Sequence, residues 1–493
     1  MQKKKYGCLL AIIPMIYSFT GFYFNQLIGI FSLRNMDPEY IYFLSGLGIA
    51  NGHFHLGHFD NPGTPLQILI GITYKMVYWF RPGETPFMED VFLNSDLYLN
   101  MANHLVLVLV SIALLICGMA VYRITGKLAL ALLVQTAPFY SEITYDIIGR
   151  LVPELLLPIP VLILSVLLLK HLYHDDFIHR KRTILWLALT CAFGLSIKMS
   201  FIPVWFIPLF IIPGWKKKLR YIILSFLAFL IFALPATLEY KTFWTWLKDL
   251  FMHSGTYGKG EADFVDLKQF TENFLAIWRS TKSLFYLLSI LVLTGTGYLI
   301  FRKKDPNNNR IIWISAGMIF AILVQLTLCS KHYSYRYIIP TLALIPMLAI
   351  LSFEMLNRIS PRIWGNIVML AITLLAFVPG IRKQVTSAEI RSKGIGEEMA
   401  AKRDTWHYAQ AIPDSCVKIM VTQGYGAPYQ DYVILYSTAW AGPRMKDYRE
   451  VLARLYPDSY NYSTWDNTVK TFGNPFDAGK IADDKRSVVL YLE

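Results

Sequence analysis

The chain has 493 residues, of which 55% are hydrophobic and only 16% are charged, and its formal net charge is +13. Soluble globular domains carry about 25% charged residues, so this composition excludes a typical soluble protein. Lysine and arginine lie in short loops between apolar segments, as the positive-inside rule predicts, so the charge does not indicate nucleic-acid binding. The five cysteines show neither a disulfide framework nor a zinc-ligand spacing.

The chain begins with residues 1–6, which carry three lysines and precede a long apolar run. This run is too long for a signal-peptide core and has no small-residue cleavage site, so we predict a retained first membrane helix that starts in the cytoplasm. Apolar segments lie near residues 7–31, 65–80, 98–121, 127–140, 152–172, 183–196, 199–213, 219–238, 283–301, 311–329, 337–354 and 364–381. The predicted fold class is therefore an all-α multi-pass helix bundle with about 11–13 transmembrane helices.

The charges of the loops assign the two sides of the membrane. By the positive-inside rule, the side that carries the basic stretches is cytoplasmic. The loops 32–64 and 239–282, together with the turn at Lys198, then face outward. Four segments between a cytoplasmic start and an external loop at 141–152 give the wrong parity, so either 65–80 or 127–140 is predicted not to span. The basic stretches are His179–Arg182, Lys216–Arg220, Arg302–Lys304 and Arg358–Arg362.

The last part of the chain, residues 382–493, differs in composition from the rest. It has scattered charge, many Asp, Gly and Pro residues, and two strand-like runs at Val417–Val421 and Val488–Leu492. We predict a small extracytoplasmic α/β domain here, after a transmembrane domain over residues 1–381.

The first external loop, residues 32–64, holds the richest group of ionisable side chains beside the membrane, where such groups are usually functional. Asp37 and Glu39 open an amphipathic segment, and an acidic residue that stabilises a helix start is the alternative interpretation. Asp60 opens a rigid turn rich in Pro and Gly, and a turn or capping role is its alternative.

Three histidines, His53, His55 and His58, precede Asp60 in the same loop and could form a divalent-metal site with it. Their spacing meets no standard metal motif, so we predict no metal and no other cofactor.

The long loop 239–282 is rich in aromatic residues, which could contact sugar or lipid headgroups. An aromatic belt at the membrane interface is the preferred interpretation. The tryptophans concerned are Trp244, Trp246 and Trp278.

The sequence Asp37-Pro38-Glu39, followed by Asp60-Asn61-Pro62, resembles motifs of the GT-C superfamily of membrane glycosyltransferases. The likeness is to the branch that uses polyprenyl- or dolichyl-phosphate sugars, which includes protein O-mannosyltransferases and the aminoarabinose transferase of lipid A. Members of this branch have an acidic pair early in the first external loop, then an Asp or Glu, one variable residue and proline. This chain has Pro-Gly-Thr-Pro where the family usually has a double proline.

Two further places resemble the same family. One is the polar segment that contains Asp146 and Arg150 and ends in Pro153-Glu154, although Pro then Glu is also an ordinary helix start. The other is Lys198, a single lysine at the outer edge between two apolar segments, for which a snorkelling lysine is the alternative.

The stretch Ser330–Pro340 looks like the family's helix entrance, in which Arg and Tyr precede two apolar residues and Pro. It contains His332, Tyr335 and Arg336. A guanidinium there could bind a phosphate in a bidentate manner.

The resemblance implies transfer of a sugar from a polyprenyl phosphate to an acceptor hydroxyl, by a single inverting displacement. Lys198 and Arg336, together with Arg150, would bind the leaving lipid phosphate. Asp37 would be the first choice for the base that takes the acceptor's proton, and Asp60 the second. The other catalytic candidate is Glu39, and the substrate-binding candidates are Glu154, Asp146, His332 and Tyr335.

The expected partners are the donor lipid, a glycan, lipid or protein acceptor, and membrane lipids, and the expected location is the cell (inner) membrane. Two other functions remain open. A transporter or flippase of lipid-linked sugars needs a similar cationic cavity, although such proteins tend to have inverted repeats and broken helices, which the sequence does not show. A membrane-anchored assembly protein would act through its external domain and would not need the charged residues.

Overall fold

A computed structural model of the chain describes residues 7–34, 38–54, 62–81, 83–140, 143–253, 266–301, 308–359, 385–386, 388–401, 403–404, 407, 411–413, 416–422, 430–438, 446–463, 467–473, 477 and 488–492. Most of these residues are helical. The helices up to residue 135 are α1 (Gly7–Ile28), α2 (Phe31–Arg34), α3 (Glu39–Ala50), α4 (Thr64–Trp79), α5 (Phe87–Leu93), α6 (Ser95–Thr125) and α7 (Leu128–Gln135).

The helices after residue 140 continue the bundle and are interrupted by short 3-10 turns. They are α8 (Ile143–Ile147), α9 (Pro158–Tyr173), α10 (Lys181–Ile197), α11 (Ile202–Trp205), α12 (Ile207–Ile211), α13 (Trp215–Phe232), α14 (Leu234–Leu238), α15 (Tyr240–Met252), α16 (Leu267–Ser280), α17 (Lys282–Phe301), α18 (Asn308–Lys331), α19 (Ile339–Leu342) and α20 (Ile345–Ile359).

Six helical stretches in the described part of the chain are long and apolar enough to cross a membrane, so the chain is a helical membrane protein. Each coincides with an apolar segment recognised in the sequence. The predicted segment 364–381 lies outside the described residues, and α7 has only 8 residues. The prediction of about 11–13 spans therefore remains a prediction. The six stretches are Cys8–Ile28, Ser95–Thr125, Pro153–Tyr173, Lys282–Phe301, Asn309–Lys331 and Tyr335–Ile359.

Helix α4 corresponds to the predicted segment 65–80, and both of its ends lie at the same end of the bundle. At its start, the backbone N–H of Gly63 donates to the carbonyl of Ile197, the last residue of α10. Near its other end, the ring of Tyr74 contacts the ring of Tyr98, in the first turn of α6, with centroids 5.2 Å apart. The side-chain amide of Asn103 in α6 donates a hydrogen bond to the carbonyl of Arg150. This bond places the start of α6 at the end of the bundle where α10 finishes. The 16 residues of α4 therefore lie across this end instead of crossing the bundle.

The C-terminal region contains a four-stranded sheet in the order β3-β2-β1-β4, with β1 (Val417–Thr422), β2 (Tyr460–Ser463), β3 (Thr468–Thr471) and β4 (Val488–Leu492). Strand β1 pairs in parallel with β2 and with β4, and β2 pairs antiparallel with β3. The two strands predicted from sequence are thus direct neighbours, with Val417 opposite Val488. Helices Gln430–Ser437 and Lys446–Leu455 connect β1 to β2, which makes this an α/β unit.

The α/β unit packs against the same end of the bundle. The ring of Tyr448 meets Phe92 of α5 edge to face, with centroids 5.9 Å apart. Arg454 forms an ion pair with Glu89, also on α5. Gln430 donates to the carbonyl of Leu93, just before α6 begins. The C-terminal domain therefore covers the end of the bundle at which α4 lies. We call this end the site end.

Candidate ionic site

Glu39 and Arg150 form a buried ion pair at the site end. Glu39 is the first residue of α3 and is fully buried. Nε of Arg150 donates to one carboxylate oxygen of Glu39 at 2.6 Å, and Nη2 donates to the other at 2.8 Å. Burial disfavours the charge of Arg150, but the adjacent Glu39 carboxylate outweighs burial and raises the pKa of Arg150 above its usual value. The bidentate geometry fixes both side chains in orientation.

The backbone that presents Arg150 is held between α1 and α6. Nδ2 of Asn103 donates to the carbonyl of Arg150 at 2.7 Å, and Nδ2 of Asn25 donates to the carbonyl of Gly149 at 3.4 Å. A Cβ atom at Gly149 would lie 2.7 Å from the carbonyl carbon of Phe24. Only glycine permits this approach of the loop to the α1 backbone, so the position of Arg150 depends on it.

A second ion pair joins Lys198 and Glu154. Glu154 lies in the 3-10 turn Pro153–Leu156 and is 1% exposed, while Lys198 has extended backbone between α10 and the 3-10 turn Met199–Phe201. Nζ of Lys198 donates to Oε1 of Glu154. The same ammonium lies 4.8 Å from the centroid of the Tyr337 ring, within the range of a cation–π interaction.

Arg336 lies in the 3-10 turn Tyr335–Ile338 and is half-buried. Its Nε donates to the Tyr335 hydroxyl at 3.2 Å, and its guanidinium carbon lies 5.3 Å from the centroid of that ring. The guanidinium also interacts electrostatically with the carboxylates of Glu154 and Glu39. Among the described residues, however, Arg336 forms no ion pair with a carboxylate.

These residues make up the ionic cluster, which consists of Glu39, Arg150, Glu154, Lys198 and Arg336. Electrostatic interactions link Arg336 to Arg150, to Glu154 and to Glu39, so four distant stretches of the chain meet there. Three cations and two carboxylates leave the described cluster with a net charge of +1. A half-buried guanidinium with surplus positive charge can bind an oxyanion such as a phosphate.

The structure places three other sequence candidates differently. Asp146 forms an ion pair of 2.9 Å with Arg391, in the region after the membrane helices. Nε2 of His332 donates to the carbonyl of Leu250 at 2.6 Å, which ties the end of α18 to the end of α15. His53 is exposed, just beyond α3. The contacts of Asp146 with Arg391 and of His332 with Leu250 are made outside the cluster, and His332 also lines the pocket that adjoins the cluster, described below.

Four candidates from the first loop lie outside the described residues: Asp37, Asp60, His55 and His58. In the sequence, Asp37 precedes Glu39 by two positions, and Asp60 precedes Gly63 by three. Within the described ranges, no group of three or more His, Cys, Asp or Glu side chains is arranged to hold a metal ion.

A pocket of about 70 Å³ adjoins the cluster, where α15, the end of α18 and the 3-10 turn after Lys198 meet. Tyr337 lines this pocket and also carries the Lys198 ammonium on its ring. The sequence predicts no site role for Ser200 or Gln325, and it includes Tyr337 only as a member of the helix-entrance motif. Contacts between segments that are far apart in the chain bring the three residues together at this pocket.

No protein-family model matches this chain, and no curated protein is similar to it in sequence. The chemistry of the site is therefore inferred from the geometry of the ionic cluster and its neighbouring pocket.

Proposed function

We propose that this protein is a membrane glycosyltransferase of the GT-C type, which moves a sugar from a polyprenyl-phosphate donor to an acceptor hydroxyl. The observation that supports it most directly is the ionic cluster, in which Lys198 and Arg336 from distant segments lie together at one end of the bundle. A phosphate that leaves a sugar needs such cations, because the developing negative charge must be stabilised in a water-poor site.

In the proposed reaction, the acceptor hydroxyl attacks the anomeric carbon of the sugar. A new carbon–oxygen bond forms there, and the bond between that carbon and the lipid phosphate breaks, with its electron pair passing to the phosphate. Arg336 and Lys198 bind the phosphate, and a carboxylate takes the acceptor's proton. Arg150 already donates to both carboxylate oxygens of Glu39, which suits Glu39 to a positioning role. We therefore assign the base to Asp37, with Asp60 as the second choice.

The proposal places the site end on the extracytoplasmic side of the cell membrane. The supporting pattern is that basic residues begin or end the helices at the opposite end of the bundle, for example Lys181 and Arg182 in α10 and Lys216 in α13. By the positive-inside rule that opposite end is cytoplasmic. The C-terminal domain, which packs at the site end, would then also be extracytoplasmic.

The test is a transfer assay in membranes with radiolabelled polyprenyl-phosphate sugars, namely mannose, glucose, galactose and arabinose. We expect Arg336→Gln to lower the transfer rate by about 100-fold to 1000-fold, since it removes a donor to the leaving phosphate. The matched control is Arg310→Gln, because Arg310 lies at the opposite end of the bundle and pairs with Asp175. Asp37→Asn should also abolish transfer. Label that stays on the lipid with the unaltered protein, for every sugar and with native membrane extract as acceptor, would count against the enzyme.

A further inference from the structure

The end of the bundle opposite the site end carries a strongly basic surface at the starts of α10 and α13. The cations of this surface are exposed or half-buried. In the part of the chain that the structure describes, none of them forms an ion pair with a carboxylate. We call this surface the basic patch, which consists of Arg180, Lys181, Arg182, Lys216, Lys217, Lys218 and Arg220.

The two halves of the basic patch lie on neighbouring helices that run in the same direction. Tyr221, in the second turn of α13, interacts with the thiol of Cys191 in α10. Further along, the ring of Phe232, the last residue of α13, meets the ring of Phe193 in α10, with centroids 5.9 Å apart. Because these contacts follow the same order along both helices, α10 and α13 begin at the same end of the bundle.

The basic patch is electrostatically unfavourable within the chain itself. The amino end of a helix carries a partial positive charge, which repels cations in the first turn. Neither α10 nor α13 has an acidic residue in its first turn. Of the two carboxylates that precede α10, Asp175 pairs with Arg310, and Asp176 is exposed and forms no described ion pair. Anions from outside the chain would therefore stabilise this surface.

The exposed apolar side chains next to the basic patch indicate where those anions lie. Trp215, at the start of α13, is 69% exposed, and Trp186, in the second turn of α10, is 56% exposed. Tryptophan is typical of the headgroup region of a bilayer, and exposed aliphatic surface is typical of its hydrocarbon core. The cations therefore lie at the depth of the lipid phosphates. The exposed aliphatic residues beside them are Leu185, Leu219, Ile222, Ile223 and Leu227.

We propose that the basic patch is a binding site for the headgroups of anionic phospholipids. The phosphate of such a lipid has no cation of its own, whereas the headgroup of a zwitterionic lipid does, so the patch favours the anionic lipid. A soluble polyanion such as a nucleic acid would fit the charge but would have no contact with the aliphatic surface below it. The inference is independent of the proposed transferase activity.

The experiment uses the purified full chain in phosphatidylcholine vesicles that contain a trace of spin-labelled lipid. Electron spin resonance measures the fraction of label held at the protein surface. At low salt, we expect spin-labelled phosphatidylglycerol to be preferred over spin-labelled phosphatidylcholine by about fivefold. Salt at about 0.5 M should remove most of that preference by screening. The triple variant Lys216→Gln, Lys217→Gln and Lys218→Gln should lower it by about threefold.

The matched control is the triple variant Lys241→Gln, Lys248→Gln and Lys268→Gln. It changes the net charge equally, and these exposed lysines lie in α15 and α16, where each has an Asp or Glu within two positions. This variant should keep the preference of the unaltered protein. An equal loss in both variants would mean that total charge is responsible and that the proposal is wrong. Equal binding of the two lipids by the unaltered protein at low salt would also overturn it.

A second measurement needs no variant, so it remains decisive if the lysine substitutions impair folding. Photoreactive phosphatidylglycerol is cross-linked to the unaltered chain in the same vesicles, and the labelled residues are mapped by mass spectrometry. We expect labelling to concentrate in residues 180–186 and 215–223, and unlabelled phosphatidylglycerol to compete for it better than phosphatidylcholine does. Labelling spread evenly around the bundle would contradict a specific site.

Discussion

Glu154 and Lys198 show how the protein keeps charge inside an apolar bundle. Glu154 is 1% exposed and Lys198 is 7% exposed, and the two are in direct contact. Removing charges from water is costly, and the mutual attraction of a close pair offsets this cost. A single buried charge without its partner has no such compensation. The pair therefore contributes to the stability of the folded protein, in addition to its part in the proposed reaction.

The buried carboxylate of Glu154 depends on Lys198 for compensation of its charge. Lys198→Met leaves the Glu154 carboxylate buried without its partner, so we expect a loss of roughly 3–5 kcal/mol in the free energy of unfolding. The double variant Lys198→Met with Glu154→Gln should recover most of that loss, because it removes both charges. Denaturation in detergent, followed by helical circular dichroism, measures the difference.

The same double variant separates stability from function. If Lys198 binds the lipid phosphate, the recovered protein should still bind farnesyl phosphate more weakly than the unaltered protein does. A double variant that bound this lipid as tightly as the unaltered protein would show that Lys198 has only a structural role.

Arg336 differs from the other charged residues of the cluster. Its described contacts are with the neighbouring Tyr335, whose hydroxyl accepts from its Nε. A guanidinium supported by an aromatic ring keeps a planar face and several N–H groups for a ligand. The positive charge of the cluster that exceeds its carboxylates is thus carried by an arginine, the residue type best suited to binding a phosphate.

At the scale of elements, the charged residues of the site lie where helices are interrupted. Glu154 lies in the 3-10 turn before α9, and Arg336 in the 3-10 turn before α19. Lys198 lies between α10 and another 3-10 turn. Glu154 and Lys198 at these breaks are buried in the bundle, and Arg336 is half-buried. Short 3-10 segments are frequent at helix ends.

Helices α3 and α4 pack closely enough that glycine is required between them. A Cβ atom at Gly71 of α4 would lie 2.9 Å from the carbonyl oxygen of Gly46 in α3 and 3.2 Å from the backbone nitrogen of Ala50. Because both neighbours are backbone atoms, neither can move without shifting a helix. This contact holds the helix that carries Glu39.

We therefore expect Gly71→Ala to destabilise the protein by about 1–3 kcal/mol through overpacking. Gly297→Ala is the matched control, since Gly297 is also helical and a Cβ atom there would meet nothing within 4 Å. The control should be neutral or slightly stabilising. Thermal unfolding of both variants in the same detergent decides the point, and equal effects would mean that the α3–α4 contact is looser than described.

At the scale of the whole molecule, hydrogen bonds connect the C-terminal domain to the helix of Glu39. The Ser95 hydroxyl donates to Oε1 of Gln430 at 2.9 Å, and the hydroxyl of Tyr40 is 3.1 Å from that of Ser95. Nε2 of Gln430 also donates to the carbonyl of Leu93 and to the Tyr456 hydroxyl, at 3.0 Å in each case. Tyr40 directly follows Glu39, so domain docking supports the start of α3.

Gln430→Leu should therefore loosen α3 as well as the domain interface. We expect hydrogen exchange of amides in residues 38–50 to become faster by roughly tenfold. Arg454→Gln is the control, because it removes only the more exposed ion pair with Glu89 at the same interface. The measurement is mass spectrometry of deuterium uptake in nanodiscs. Unchanged uptake in residues 38–50 for Gln430→Leu would show that the domain docks without supporting α3.

The sequence alone was sufficient for features that depend on local pattern. Long apolar runs identified the membrane class and the six long helices, and two strand-like runs identified β1 and β4. It also marked Glu39, Arg150, Glu154, Lys198 and Arg336 as candidates. The roles of Asp37 and Asp60 stay predictions.

Only the tertiary structure decided which of these residues meet. It paired Glu39 with Arg150 and Glu154 with Lys198, and it directed Asp146 to Arg391 instead. It also laid α4 across the site end and formed the pocket around Gln325. The reason is physical: hydropathy and helix-start residues act within a few positions of the chain, whereas ion pairs and pockets form between helices whose separation in sequence carries no record of their separation in space.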